Sequence, residues 1–195
     1  MTMQRPETDS ATSRRIVVLS APSGAGKTTI AHRLLGRNPG WRFSVSATTR
    51  PKRPNEVDGV DYHFLTEEEF RRKIEGGDLV EWEQIFGNFY GTLKSEVERV
   101  LAPYDGTRLI FDVDVKGALA IRDAFPADAY LIFVAPPTME EMRRRLMMRQ
   151  TESPEAVERR IARAEMEMAM RQYFDVIVVN DELECAVAEI EALLA

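Results

Sequence analysis

Residues 16–29 read IVVLSAPSGAGKTT. An apolar run, Ile16 to Leu19, enters a loop containing Gly24 and Gly26, and a helix-like stretch, Thr28 to Leu35, follows it. Strand, glycine loop and helix in that order form a phosphate-binding loop. A chain that wraps a polyphosphate turns its backbone N–H groups inward, and a side chain at either glycine would obstruct the approach. Lys27 brings a cation to the outer phosphates, and the Thr28 hydroxyl can ligate Mg2+. The helix beginning there adds free N–H groups and the positive end of its dipole. The phosphate-binding candidates are therefore Ala21, Pro22, Ser23, Gly24, Ala25, Gly26, Lys27, Thr28 and Thr29. Ala21 stands where the general pattern opens with glycine.

The rest of the chain bounds the setting. Its 195 residues, 44% hydrophobic, suffice for one globular unit with a real core. A net charge of -6 and a pI near 5.2 argue against a general nucleic-acid or membrane-surface binder, whose footprint would be basic. The single cysteine, Cys185, excludes an intramolecular disulfide, and no metal-spaced set surrounds His32 and His63, so a reducing, cytoplasmic setting fits. Cys185 falls in a helical pattern with Leu183, Val187 and Ile190 and is expected in core or boundary packing. The two histidines are expected at the surface or partly packed. Residues 1–13 are polar and resemble neither a signal peptide nor a membrane anchor; they read as a disordered tail.

Buried strands are expected at Arg15 to Ser20, Leu109 to Val113, Tyr130 to Ala135 and Val176 to Asn180, with helical patterns between them. That alternation predicts an α/β fold, a parallel sheet flanked by helices with ligands at the carboxyl ends of the strands. The core is assigned to about 14–40, 94–137 and 174–195. From about Trp41 to Leu93 the rhythm changes to short half-polar strands, Tyr62 to Leu65, Leu79 to Ile85 and Asn88 to Thr92, around a helix at Glu67 to Ile74. This segment reads as an inserted subdomain. Thr138 to Tyr173 reads as two charged helices joined at Gln150 to Ser153, a helical hairpin acting as a lid, with Val157, Ile161, Ala164 and Met168 facing inward.

A phosphate loop does not name the acceptor. The segment around Arg50 and Arg53, with Tyr62 downstream, offers guanidinium groups and a phenol to a second anion. Asp112 and Asp114, two apart on an expected strand, should share one face at its carboxyl end, with Asp112 in the Mg2+ environment by analogy with other phosphate-loop enzymes.

Several motifs then occur in a fixed order: APSGAGKTT at 21–29, SATTRPKRPNE at 46–56, VEWEQIFGNFYGT at 80–92, FDVDVKG at 111–117, FVAPP at 133–137, an arginine-bearing lid, and VVND at 178–181. Over about Arg15 to Leu194 the chain resembles guanylate kinase in its single-domain form. The middle motifs are not shared with phosphate-loop proteins at large. The resemblance implies the nucleoside monophosphate kinase fold, an inserted GMP-binding subdomain and a helical lid. It also implies transfer of the γ-phosphoryl of ATP to GMP, giving ADP and GDP with Mg2+, in the service of GTP and dGTP supply and GMP recycling. ATP and GMP, with dGMP as a further acceptor, are the implied partners. Neither nucleic acid, membrane nor protein partner is implied, and the chain would be a monomer or small homo-oligomer.

Carried onto this sequence, the family's pattern places Arg50, Arg53, Tyr62 and Tyr90 on the GMP phosphate, with Glu56 in the same GMP-binding segment. Ser46, Glu81, Thr92 and Asp114 fall on the guanine. Asp112 joins the GMP and Mg2+ surroundings together with Thr28. Guanine presents N–H donors at N1 and at its exocyclic amine, which a carboxylate such as Glu81 accepts as a pair; adenine would leave that carboxylate unpaired, a penalty of about 1–3 kcal/mol or more. Lys27, Arg50, Arg145, Arg149 and Arg160 form the implied catalytic set around the transferring group. The other lid charges, Arg143, Arg144, Arg159 and Arg163, read as a solvated face with partners such as Glu140 and Glu141.

Two positions depart from the pattern, Lys116 before Gly117 and Gln150 after Arg149. Asn180 is open between a contact near the adenine end and a helix N-cap shared with Asp181. Two other readings compete: a phosphate-loop kinase for a sugar phosphate such as ribose 1,5-bisphosphate, against which Glu81, Thr92 and Asp114 weigh, and a non-catalytic peptide-binding module, against which Lys27 and the loop glycines weigh.

Overall fold

A computed structural model of the protein describes residues 14–22, 24–85, 87–103, 105–147 and 154–195. The tail at 1–13, Ser23, Arg149, Gln150 and the hinge between the lid helices fall outside the described residues.

The first sheet contains β1 (Ile16–Ser20), β2 (Trp41–Phe43), β7 (Arg108–Asp112), β8 (Ala129–Ala135) and β9 (Val176–Val179), in the order β2-β7-β1-β8-β9. Every pairing in it is parallel. Both faces are covered, which is why its strands are continuous apolar runs. Val17 and Leu19 of β1 point to one side, against Ile30, Ala31 and Leu34 of α1 (Lys27–Arg37) and Val187 and Ile190 of α7 (Leu183–Leu194). Ile16 and Val18 point to the other, against Val97 of α3 (Lys94–Leu101) and Ala118 and Ile121 of α4 (Val115–Ala124).

The second sheet runs β4-β3-β6-β5 and is built from β3 (Ala47–Thr48), β4 (His63–Phe64), β5 (Leu79–Ile85) and β6 (Asn88–Leu93). Phe70 of α2 (Glu67–Glu75) packs with Ala47, Leu79, Phe89 and Leu93 to give it a core of its own. A capping box between Thr66 and Glu69 starts α2, satisfying two otherwise orphaned N–H groups. The change of sheet falls between Phe43 and Ala47, since β2 pairs with β7.

The hairpin consists of α5 (Met139–Met147) and α6 (Pro154–Ala169), closed by a 3-10 turn at Met170–Tyr173. Met142, Ile161 and Ala164 bury one another between the two helices, while Met168 packs toward the main sheet.

Three expectations are corrected. Cys185 is exposed, because α7 buries Ala186, Val187, Ile190 and Leu194, and a period of 3.6 turns residue 185 away from that stripe. Asp114 is not on β7: the strand ends at Asp112, and Asp114 is the N-cap of α4, so the two aspartates face different partners. Asn180 is no helix cap, since α7 opens after Glu182 without a side-chain capping bond. Among the described residues no helix is long and apolar enough to cross a membrane.

Candidate active site at the carboxyl edge of the sheet

Gly24 and Gly26 adopt left-handed backbone, at φ 91° and 89°, which a residue with a Cβ enters only under strain. The loop closes on itself by a turn in which the Ala25 N–H donates to the Pro22 carbonyl at 3.1 Å. Gly26 is also the residue before the helix, so no side chain blocks the helix's first N–H groups. Space matters as much as φ there, because a Cβ at Gly26 would lie 2.5 Å from Nδ2 of Asn180. Asn180 is buried and donates that amide to the carbonyl of Ala25 at 2.7 Å. Sequence reasoning did not find this role; the only signal was a polar residue directly after an apolar strand.

Lys27, Thr28 and Asp112 come together. The Lys27 ammonium lies 2.6 Å from Oδ1 of Asp112 and donates to the carbonyl of Val113 at 2.6 Å. The Thr28 hydroxyl donates to Oδ2 of the same carboxylate at 2.6 Å. This follows from parallel pairing of β1 with β7, which sets the end of β7 beside the loop that follows β1. Thr28 and Asp112 are hard oxygen donors in contact, a set suited to Mg2+, which takes one or two carboxylates, phosphate oxygens and waters.

From α5 of the hairpin, Arg145 reaches the same edge. Its Nη1 donates to the carbonyl of Asn180 at 3.2 Å and its Nε to Glu141 at 2.7 Å. Arg144 and Arg145 together hold the Glu141 carboxyl down at about 2. Arg160 is half-buried on α6.

The second-anion candidates sit on the small sheet and the loop between β3 and β4. Arg50 forms a two-point pair with Glu56, at 2.6 and 3.0 Å. Glu56 also accepts from the backbone N–H of Arg53 at 2.7 Å. Hydrogen bonds from Arg50, then from Arg53, bring the Glu56 carboxyl down to about 2. Glu56 therefore holds the Arg50 guanidinium and the backbone at Arg53. The Arg50 guanidinium lies 5.3 Å from the Tyr62 ring centroid, and Tyr62 meets Tyr90 edge-on at 6.2 Å. Burial, then the neighbouring Tyr90, raises the Tyr62 phenol, leaving it a donor at neutral pH. Arg53 is exposed beside them, and Ser46 is half-buried immediately before β3.

The base-reading candidates converge where β5 meets α4. Thr92, 1% exposed, donates its hydroxyl to Glu81 at 2.7 Å. A Cβ at Gly117 would lie 3.4 Å from both Oε2 of Glu81 and Oδ1 of Asp114, so these carboxylates approach each other across a glycine. Burial raises Glu81 above its ordinary 4.5, the Thr92 bond opposes the rise, and Asp114 adds to it. Asp114 accepts from the N–H of Gly117 at 2.8 Å and from Nη2 of Arg163 at 3.0 Å. Arg163 is thus no member of a solvated face alone. Lys116, the departure from the family pattern, is exposed.

A glycine loop carrying Lys27, an arginine–tyrosine cluster, two converging carboxylates and an arginine-bearing hairpin are groups suited to phosphoryl exchange between nucleotides. A sequence model of guanylate kinase matches residues 13–195. The chain belongs to the guanylate kinase family. It is 55% identical to a guanylate kinase of Salinibacter ruber, covering 90% of this chain and 93% of that one. A guanylate kinase of Symbiobacterium thermophilum is 49% identical, with 92% and 83% covered. The crystal structure of guanylate kinase from Anaplasma phagocytophilum is 31% identical and superimposes with a TM-score of 0.70 over 93% of this chain and 84% of that one. The guanylate kinase family and the architecture described here agree on a phosphate-loop nucleoside monophosphate kinase fold.

Proposed function

We propose that this chain is an ATP:GMP phosphotransferase, passing the γ-phosphoryl of ATP to GMP, in a cytoplasmic setting. The observation that carries the reading is the Glu81, Thr92 and Asp114 cluster, since two converging carboxylates match the paired N–H donors that guanine presents at N1 and its exocyclic amine.

Both substrates are polyanions, and the acceptor phosphate is already ionised, so charge cancellation and alignment dominate over acid–base chemistry. The loop amides and Lys27 hold the donor phosphates; Lys27 leaves its bonds to Asp112 and the Val113 carbonyl to do so. Thr28 and Asp112 would hold Mg2+, directly or through water. An ion held there would supply positive charge against the donor phosphates. Arg50, Arg53, Tyr62 and Tyr90 hold the GMP phosphate, with Arg50 set in direction by Glu56. Ser46, Glu81, Thr92 and Asp114 read the guanine. Arg145, Arg149 and Arg160 bring cations to the transferring group, and closure of the hairpin excludes water that would otherwise take the phosphoryl.

The test is ADP release from Mg-ATP with GMP, dGMP, AMP, UMP, ribose 1,5-bisphosphate or no acceptor, beside Lys27→Ala. GMP-dependent release lost in Lys27→Ala is the expected result. Release that is as fast without acceptor, or faster with the sugar phosphate, would overturn it.

A further inference from the structure

Arg163 joins two parts of the molecule that the reaction must bring into step. It lies on the second lid helix, yet its Nη2 donates to Oδ2 of Asp114 at 3.0 Å, forty-nine residues away at the start of α4. Its Nε donates to Glu167, one turn along α6, at 3.0 Å. Arg143–Glu165, Arg144–Glu141 and Arg145–Glu141, by contrast, are pairs within the hairpin.

The surroundings give this cation work to do. Asp114 and Glu81 converge across Gly117, and Glu83 and Glu167 add negative charge near Arg163. Three carboxylates, Asp114, Glu83 and Glu167, act on one guanidinium and would repel one another without it. Oδ1 of Asp114 is occupied by the Gly117 N–H and Oδ2 by Arg163, which fixes the carboxylate plane. Each carboxylate oxygen retains a second lone pair. The fixed Asp114 can therefore still accept from an exocyclic amine while Arg163 stays bound.

Resting on the guanylate kinase reading, we propose that Arg163 is a positioning residue that acts through Asp114. It holds the base-reading carboxylate in register and ties α6 to it, so that correct filling of the base site and docking of the lid reinforce each other.

The experiment is steady-state kinetics on wild type, Arg163→Ala, Arg163→Lys, Asp114→Asn and the Arg163→Ala/Asp114→Asn double variant, with thermal melts to confirm folding. Asparagine keeps the N-cap of α4. An exposed ion pair alone would move the constants by less than about fivefold. The proposal expects Arg163→Ala to raise KM for GMP by about tenfold, a loss typical of a charge-assisted hydrogen bond, with KM for ATP nearly unchanged. Arg163→Lys should recover part of that loss, since an ammonium supplies the charge without the two-point geometry. In the Asp114→Asn background the Arg163→Ala change should have little further effect. Additive losses in the double variant, or equal rises in both KM values, would overturn the proposal. Wild-type protein releasing no ADP with GMP would instead overturn the functional reading beneath it.

Discussion

The side-chain amide of Asn180 donates to the carbonyl of Ala25 at 2.7 Å, so the residue following the last core strand braces the phosphate loop. Asn180→Ala leaves that carbonyl without its donor, at a cost of about 1–3 kcal/mol if no water enters. The loss should fall on the loop: KM for ATP rises, KM for GMP moves little, and the melting temperature drops by a few degrees. Gly26→Ala should be worse, because it adds left-handed strain of about 1–2 kcal/mol to a 2.5 Å clash with Asn180. Restored ATP binding in a Gly26→Ala/Asn180→Ala protein would show how much of the defect is the clash.

Glu81 carries an acid-side prediction. Its carboxyl is raised above 4.5, chiefly by burial. Only the ionised form accepts both guanine donors, so kcat/KM for GMP should fall as pH drops toward that raised value. Stability runs the other way. A carboxyl raised in the folded state is destabilising when ionised, and the penalty is relieved as pH falls through the folded value and is gone below 4.5. Glu81→Gln should therefore melt higher than wild type at pH 7, with the gap closing in acid, while losing GMP turnover at every pH.

Glu56 has the opposite sign. Arg50 and then Arg53 hold it at about 2, so its contribution is complete above 4.5 and is lost as pH falls through about 2. Between wild type and Glu56→Gln, the difference in melting temperature should be constant above pH 4.5 and shrink below it. Freed from its two-point partner, Arg50 should hold the acceptor phosphate less well. KM for GMP is expected to rise about three- to tenfold, the effect of one charge-assisted contact, with KM for ATP unaffected.

At Gly117 the chemistry of the site competes with helix propensity. Alanine gains up to about 1 kcal/mol in a helix. Its Cβ would press on Val113 at 3.2 Å and stand 3.4 Å from the Glu81 and Asp114 carboxylates. Gly117→Ala should fold with near-wild-type stability and bind GMP several-fold more weakly, read by calorimetric titration. Unchanged GMP affinity would mean that guanine does not use the approach of these two carboxylates.

Much of the architecture could be read locally. Buried parallel strands announce themselves as apolar runs, and the phosphate loop requires its glycines, lysine and threonine next to each other in the chain. β1, β5 and α2 accordingly lie within a residue of where periodicity puts them. β2 and β3 were not legible, because three and two residues carry no period. Cys185 was misread because it falls within the helical apolar pattern of Leu183, Val187 and Ile190, and only the packing of α7 says which residues of that helix are buried.

What the sequence by itself determined is which chemical groups the protein owns and the order of its strands, loop and helices. What the tertiary structure decided is which of those groups touch. Asn180 and Ala25 are 155 residues apart, Thr28 and Asp112 are 84 apart, and Arg163 and Asp114 are 49 apart. A local pattern reports backbone preference and the buried face, both set within a turn or two. A hydrogen bond across the fold depends on strand order, on where each helix begins, and on the direction of one side chain, and these are settled only when the whole chain packs.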